Sequence, residues 1–332
     1  MFKKFLIVFV VALSVLFMGA CGKRTYAADG VYTAFSNEIH KDGPQVTMVS
    51  VTIENDKVKS FFIDCLQSTK KVDEKTQTVS WAFDAKTKKE LKYAYGMHKF
   101  DYIGTLPEDA EYTEEGYKAW LEANNVKEWF QQAELLEAFF VKEGTDKITV
   151  DTESKAINNV TGVTIKDGGY SKLAAEAVKL AKAGKAQVVV GDGNSLAWVT
   201  AAVNKKGEFT SLKIDTLQGQ VDAEGKFTWN EKSKQELGYA YGMHRGKYED
   251  TLAEGVEGTE EGYKAWLKAN NKFEWFEQVD KLAAYVLANG VDEKIVVGDD
   301  KKLSNAPEVL TGVTVKVATY KTLFETLYNN FK

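Results

Sequence analysis

The chain has 332 residues and a formal net charge of −5. Lys3 and Lys4 fall within the first twenty residues, so a chain without that stretch carries −7. Such an acidic chain makes no nucleic-acid partner, because binding phosphates needs a basic face. A hydrophobic content of 44% supports a real core, and only three Pro argue against disordered linkers.

The N-terminus reads as an export signal. Lys3 and Lys4 precede an apolar run from Phe5 to Met18, which is too short to span a bilayer and right for a signal-peptide core. Met18-Gly19-Ala20-Cys21 resembles a bacterial lipobox, with Met18 where Leu is usual. Residues 1–20 are therefore predicted to be a lipoprotein signal peptide, with Cys21 as the lipidated residue; the alternative is a chance cysteine after an ordinary secretory signal. One acyl chain binds a membrane only marginally, at about 0.8 kcal/mol per buried CH₂, whereas the two or more on such a cysteine anchor stably. Residues 21–28 would tether the protein to the extracellular face of the cell membrane. Cys65 is then the last thiol, within Phe61–Leu66, which reads as a buried strand. No intramolecular disulfide can form in the mature chain.

The rest of the chain is written twice. Tyr93-Ala94-Tyr95-Gly96-Met97-His98 recurs as Tyr239-Ala240-Tyr241-Gly242-Met243-His244, 146 residues on. Thr113 to Leu121 recurs unchanged as Thr259 to Leu267, and Trp129-Phe130 as Trp275-Phe276. A final motif, Val160-Thr161-Gly162-Val163-Thr164, recurs as Leu310-Thr311-Gly312-Val313-Thr314 after a longer loop, at an offset of 150. The period is far longer than a solenoid repeat. It predicts two tandem domains, residues 29–184 and 185–332, each able to fold alone.

Each copy opens with strands. Val49, Val51 and Ile53 alternate with polar residues, and Asn55-Asp56 signals a turn. Val199, Ala201 and Val203 repeat the alternation, with a turn over Asn204–Gly207. Thr113 can cap a helix whose first turn holds Glu114 and Glu115. Trp129, Phe130, Ala133, Leu136 and Phe140 recur at helical spacing before a stop at Gly144. A strand over Ile148–Val150, a Thr-Gly-Val-Thr strand and a closing helix follow, Tyr170–Ala183 in the first copy and Tyr320–Phe331 in the second. Strands and helices come in separate runs, so the predicted fold is α+β, each domain a mainly antiparallel sheet with packed helices.

Several chemistries lack their residues. His40, His98 and His244 form no metal-spaced cluster with cysteine, which disfavours zinc and haem. Gly191-Asp192-Gly193, read as a loop before a strand, lacks the lysine of a phosphate-binding loop, and no nucleophile elbow occurs. What remains is the duplicated set: the Tyr-Ala-Tyr-Gly-Met-His segments, two tryptophans per copy, and Thr-Gly-Val-Thr. Trp120 and Trp266 read as core. His98 and His244 sit in a segment that reads as a loop, where function tends to reside.

On these motifs the chain resembles the FMN-binding domain family, over both copies, and within it the PplA-type flavinylated lipoproteins of Gram-positive extracellular electron transfer. The family's acceptor motif is Asp-x-x-Ser/Thr-Gly-Ala-Thr/Ser, whose last hydroxyl is esterified to the FMN phosphate by an ApbE-type flavin transferase. The resemblance implies two covalent FMN groups, on Thr164 and Thr314, with Thr161-Gly162 and Thr311-Gly312 in the middle of each motif. Val163 and Val313 stand where Ala is usual, and Asn158 and Glu308 where Asp is usual. Thr161 and Thr311 can donate hydrogen bonds to the phosphate, and glycine lets the backbone approach it. A flat, largely apolar ring favours aromatic and Met surroundings. Tyr95, Met97, His98 and Trp129 are the candidate lining in the first copy, and Tyr241, Met243, His244 and Trp275 in the second. The implied role is a carrier taking electrons from a membrane quinol-linked system to ferric iron, flavin shuttles or other extracellular acceptors. Two alternatives stay open: a duplicated ligand-binding lipoprotein without redox function, and a signal peptide that also yields a pheromone.

Overall fold

The computed structural model describes residues 24–305 and 310–332. The signal-peptide reading of residues 1–20, the lipidated Cys21 and Glu308 lie outside the described residues. The chain is a mixed α and β protein with antiparallel sheets and packed helices.

In the first half, β1 (Gly30–His40), β2 (Gly43–Glu54) and β3 (Lys57–Leu66) form an antiparallel sheet. The alternation in β2 does what a half-buried strand requires: Val49, Val51 and Ile53 are buried and their neighbours are not. Asn55 and Asp56 both take left-handed φ, the requirement of a tight two-residue hairpin turn. Cys65 is fully buried in β3. A two-stranded arm follows, β4 (Ser68–Val72) and β5 (Val79–Phe83). Then come α1 (Lys88–Leu91), a 3₁₀ turn at Lys92–Tyr95, α2 (Lys99–Ile103), α3 (Glu114–Ala123), α4 (Trp129–Glu143) and, after a loop, α5 (Tyr170–Ala183). Thr113 caps α3 by accepting from Gly116 N, and Glu128 caps α4 in a reciprocal box with Gln131. The buried faces of α4 and α5 cover the sheet, α4 over β3 and α5 over β1 and β2.

The second half repeats the order. Strands β6 (Lys185–Asp192), β7 (Ser195–Val203), β8 (Phe209–Val221) and β9 (Phe227–Trp229) form a four-stranded antiparallel sheet. They precede α6 (Lys234–Leu237), α7 (Arg245–Glu249), α8 (Glu260–Ala269), α9 (Trp275–Asn289), a short hairpin of β10 (Val296–Val297) and β11 (Leu303–Asn305), and α10 (Ala318–Asn329). Helix α9 packs on β8, and α10 on β6 and β7. Gly191 and Asp192, expected in a loop, are the last residues of β6.

The halves are joined by more than the chain. The indole of Trp81 donates to Gly225 O at 3.0 Å, and that of Trp229 to Glu38 O at 3.1 Å. Phe83 and Trp229 stack with ring centres 6.3 Å apart, and Phe227 N donates to Asp42 O at 2.9 Å. Each half thus extends an arm, β4–β5 or β8–β9, onto the hairpin turn of the other. One apolar cluster runs through both sheets. These contacts pack the two halves against each other. Residues 24–28, read as tether, are held to it: Thr25 N and Tyr26 N donate to the Asp56 carboxylate at 2.9 Å, and Ala27 N to Ala181 O at 3.0 Å.

Candidate functional site

Thr-Gly-Val-Thr was expected to be a strand. It is a turn in both halves, and Ile148–Val150 contributes only an isolated bridge from Val150 to Ile157. The reason is the glycine. Gly162 and Gly312 adopt φ of +81° and +89°, a left-handed conformation that breaks a strand. Val163 N and Val313 N close the turns onto Val160 O and Leu310 O at 3.2 and 3.0 Å. The turn drives Val163 and Val313 into the core and leaves Thr164 and Thr314 exposed.

A buried glutamine holds each threonine. Gln132 Oε1 accepts from Thr164 N at 2.6 Å, Thr164 Oγ1 at 3.2 Å and Ile165 N at 2.9 Å. Gln278 Oε1 accepts from Thr314 N at 2.7 Å, Thr314 Oγ1 at 3.2 Å and Val315 N at 3.2 Å. The amide nitrogens are fixed in turn by Lys127 O and Phe273 O, both at 2.8 Å, which orients each carbonyl toward the threonine.

The Tyr-Ala-Tyr-Gly-Met-His segments are pinned by a buried carboxylate. Glu274, fully buried, accepts from Met243 N at 2.7 Å, Trp275 N at 3.1 Å and Tyr263 OH at 2.5 Å. Glu128 takes the same three partners, Met97 N, Trp129 N and Tyr117 OH. Tyr117 and Tyr263 in turn accept from His98 N at 3.0 Å and His244 N at 2.9 Å. Burial and then the carboxylate bond push both phenols above their ordinary range, so each stays a donor. Asp64 and Asp215 anchor α1 and α6: Asp215 accepts from Ser233 Oγ at 2.7 Å and Gln235 N at 3.1 Å, and Asp64 from Lys89 N at 3.1 Å.

In the second half these elements enclose a cavity of about 570 Å³, inside the range of small-molecule sites, roughly 300–1,000 Å³. Thr314, Tyr241, Met243 and Trp275 all line it. Thr311, Gly312 and His244 do not. Lys234, Lys301, Lys302 and Lys316 line it as well; the one lining carboxylate, Asp192, is bonded to Thr319 Oγ1 at 2.7 Å, and Lys302 pairs with Asp300 at 3.9 Å. The result is an electropositive pocket with an aromatic wall. Trp275 lies between Tyr241 and Tyr320, ring centres 6.4 and 6.3 Å away. Trp129 lies likewise between Tyr95 and Tyr170, at 6.5 and 6.2 Å. His98 stands at the start of α2, its Nδ1 3.5 Å from Asp101 and its buried Nε2 without a hydrogen-bond partner among the described residues. Trp120 and Trp266 pack in satellite clusters with Tyr102 and Tyr248, away from the threonines.

Sequence reasoning missed the lysines, the glutamines and the glutamates. Lys88 and Lys234, Glu128 and Glu274, and Gln132 and Gln278 all match at the 146-residue offset. Extending the comparison of copies from runs to single identities would have found them. Among the described residues, no cluster of three or more His, Cys, Asp or Glu could hold a metal, and no helix is long and apolar enough to cross a membrane.

No protein-family model matches the chain, and no curated protein does. A solution NMR structure of a structural-genomics target from Clostridium thermocellum is similar at 18% identity, over 46% of this chain and 89% of its own, with a TM-score of 0.25. A superposition that loose carries no argument about fold or function.

Proposed function

We propose that the chain is an extracellular, lipid-anchored flavoprotein made of two tandem FMN-binding domains, residues 29–184 and 185–332, with FMN bound through phosphoesters to Thr164 and Thr314. It carries electrons from a membrane quinol-linked donor to ferric iron, free flavins or other external acceptors, and an ApbE-type transferase installs the cofactor. The observation that carries this reading is the placement of Thr314. Thr314 is exposed and lines a cavity with an aromatic and Met wall and four lysines. Thr164 is presented by the same glutamine geometry.

The residues fit such a group in three respects. Thr314 is exposed, so an external transferase can approach it. The lysines favour a phosphate, and Trp275, Tyr241 and Met243 favour a flat ring. Once bound, flavin supplies one- and two-electron transfer, and the protein sets its position, exposure and potential. Gln278 fixes the backbone of the acceptor turn, Glu274 fixes the ring-side loop, and Gly312 gives the turn its left-handed bend.

Coexpression with an active transferase tests this. After denaturing electrophoresis the band should fluoresce under ultraviolet light, and the band made without transferase should not. A colourless, non-fluorescent protein made beside a transferase that labels a control protein contradicts the reading. It would leave a duplicated lipoprotein that binds an anionic aromatic ligand reversibly.

A further inference from the structure

Lys88 and Lys234 are the first residues of α1 and α6, matched across the halves. The Lys234 ammonium sits 4.7 Å from the ring centre of Tyr241 and 5.3 Å from that of Trp275. The Lys88 ammonium sits 5.0 Å from Tyr95 and 5.4 Å from Trp129. Lys88 is buried at 8% exposure, and Lys234 is half-buried. Neither ammonium pairs with a carboxylate among the described residues, although the lysine beside Lys88, Lys89, does so with Glu137. A desolvated cation without an anion is costly, and two aromatic faces return only part of that cost. The same arrangement, built twice, points to a negative charge supplied from outside the chain. Lys234 faces the cavity at its aromatic wall, while Lys301 is tied to the turn region through its carbonyl, which accepts from Val317 N at 2.7 Å. Of the lining lysines, Lys234 is the one whose ammonium lies against the Tyr241 and Trp275 rings.

We propose that Lys88 and Lys234 are potential-setting residues, each placing a fixed positive charge against the ring end of the ligand and stabilising its reduced, negatively charged form. This rests on the flavin reading above. Two electrons and one proton taken from a quinol-class donor add one net negative charge to the oxidised ring. The donor becomes the quinone and its second proton passes to solvent. The ammonium pairs with the added charge, so it favours the reduced form over the oxidised one and raises the midpoint potential.

The test is spectroelectrochemistry on flavinylated protein with one acceptor at a time. Lys234→Met and Lys234→Arg are made in a Thr164→Ala chain, and Lys88→Met and Lys88→Arg in a Thr314→Ala chain, each with peptide mass spectrometry of the remaining threonine. The Met variants should lose at least tenfold in preference for the reduced form, a shift of about 30 mV to more negative potential for a two-electron couple. The Arg variants should keep most of the parent value, which a role in packing alone would not require. An unchanged potential in a Met variant that still carries the flavin overturns the proposal for that lysine. A parent chain without flavin on the threonine overturns the underlying reading, and the proposal with it. A Met variant that does not fold hands the decision to Lys→Gln at the same position, with the same expected shift.

Discussion

Gln132 and Thr164 are 32 residues apart in sequence and meet through one oxygen, which accepts from the threonine amide at 2.6 Å and its hydroxyl at 3.2 Å. The glutamine is 1% exposed, as is Gln278 in the matching bond to Thr314. Truncating Gln278 to Ala orphans the amides of Thr314 and Val315 and opens a void. A loss of about 2–3 kcal/mol follows, read as a lower urea midpoint with unchanged slope. Flavin transfer to Thr314 should fall more than transfer to Thr164, which serves as the internal control.

The two turn glycines should differ in what they tolerate. Both have left-handed φ, so Gly→Ala costs about 1–2 kcal/mol at either from backbone alone. A Cβ at Gly312 would lie 2.6 Å from the Phe273 ring, whereas at Gly162 the nearest atoms are Leu135 Cδ1 at 3.1 Å and the flexible Lys127 chain at 3.3 Å. Gly312→Ala should therefore lower the melting temperature more than Gly162→Ala, and a reversed order would contradict this packing.

Cys65 should behave as a core thiol. Burial pushes it from its ordinary 9.0 up to about 12. Between those two pH values the unfolded chain has lost the proton and the folded chain keeps it, so stability falls as pH rises through that window. Below pH 9.0 the group contributes no slope. A thiol probe at pH 8 should label Cys65 only as the protein unfolds, at the rate of global opening. Fast labelling of native protein would contradict its placement.

The exchanged arms predict a shared fate for the halves. Trp81→Ala removes an indole that is 9% exposed and bonded across the junction to Gly225 O. It should cost about 3–5 kcal/mol. It should also split a single denaturation transition into two, which calorimetry resolves. One sharp transition in the variant would mean that the apolar cluster, not the arms, couples the halves.

Much of this architecture is legible in the residues themselves. Local signals carry the strands and the long helices: alternation in β2, the Thr113 cap, the stop at Gly144. The Thr-Gly-Val-Thr motif is legible as a pair, but its shape is not. Taken in isolation, Val-Thr-Gly-Val-Thr is strand-like, and nothing local announces that Gly162 and Gly312 will take the left-handed φ that breaks it. Tyr241, Met243 and Trp275 are named from residue type, and they line one cavity with Thr314. His98 and His244 are named on the same grounds, yet their amides are spent on Tyr117 and Tyr263, and His244 does not line the cavity. Lys88 and Gln132 are invisible because a lone lysine or glutamine has no local signature. Their roles depend on rings and turns that lie 7 to 41 and 32 to 33 residues away along the chain. The arm exchange is invisible for the same reason, since a short hairpin does not announce which sheet it will cover.

The central claim is tested most directly by peptide mass spectrometry of the chain coexpressed with its flavin transferase. The account predicts one FMN-sized addition on the peptide containing Thr164 and one on the peptide containing Thr314, with Thr164→Ala and Thr314→Ala each removing only its own. Absence of any addition at both threonines, with the transferase active on a control protein, would contradict it.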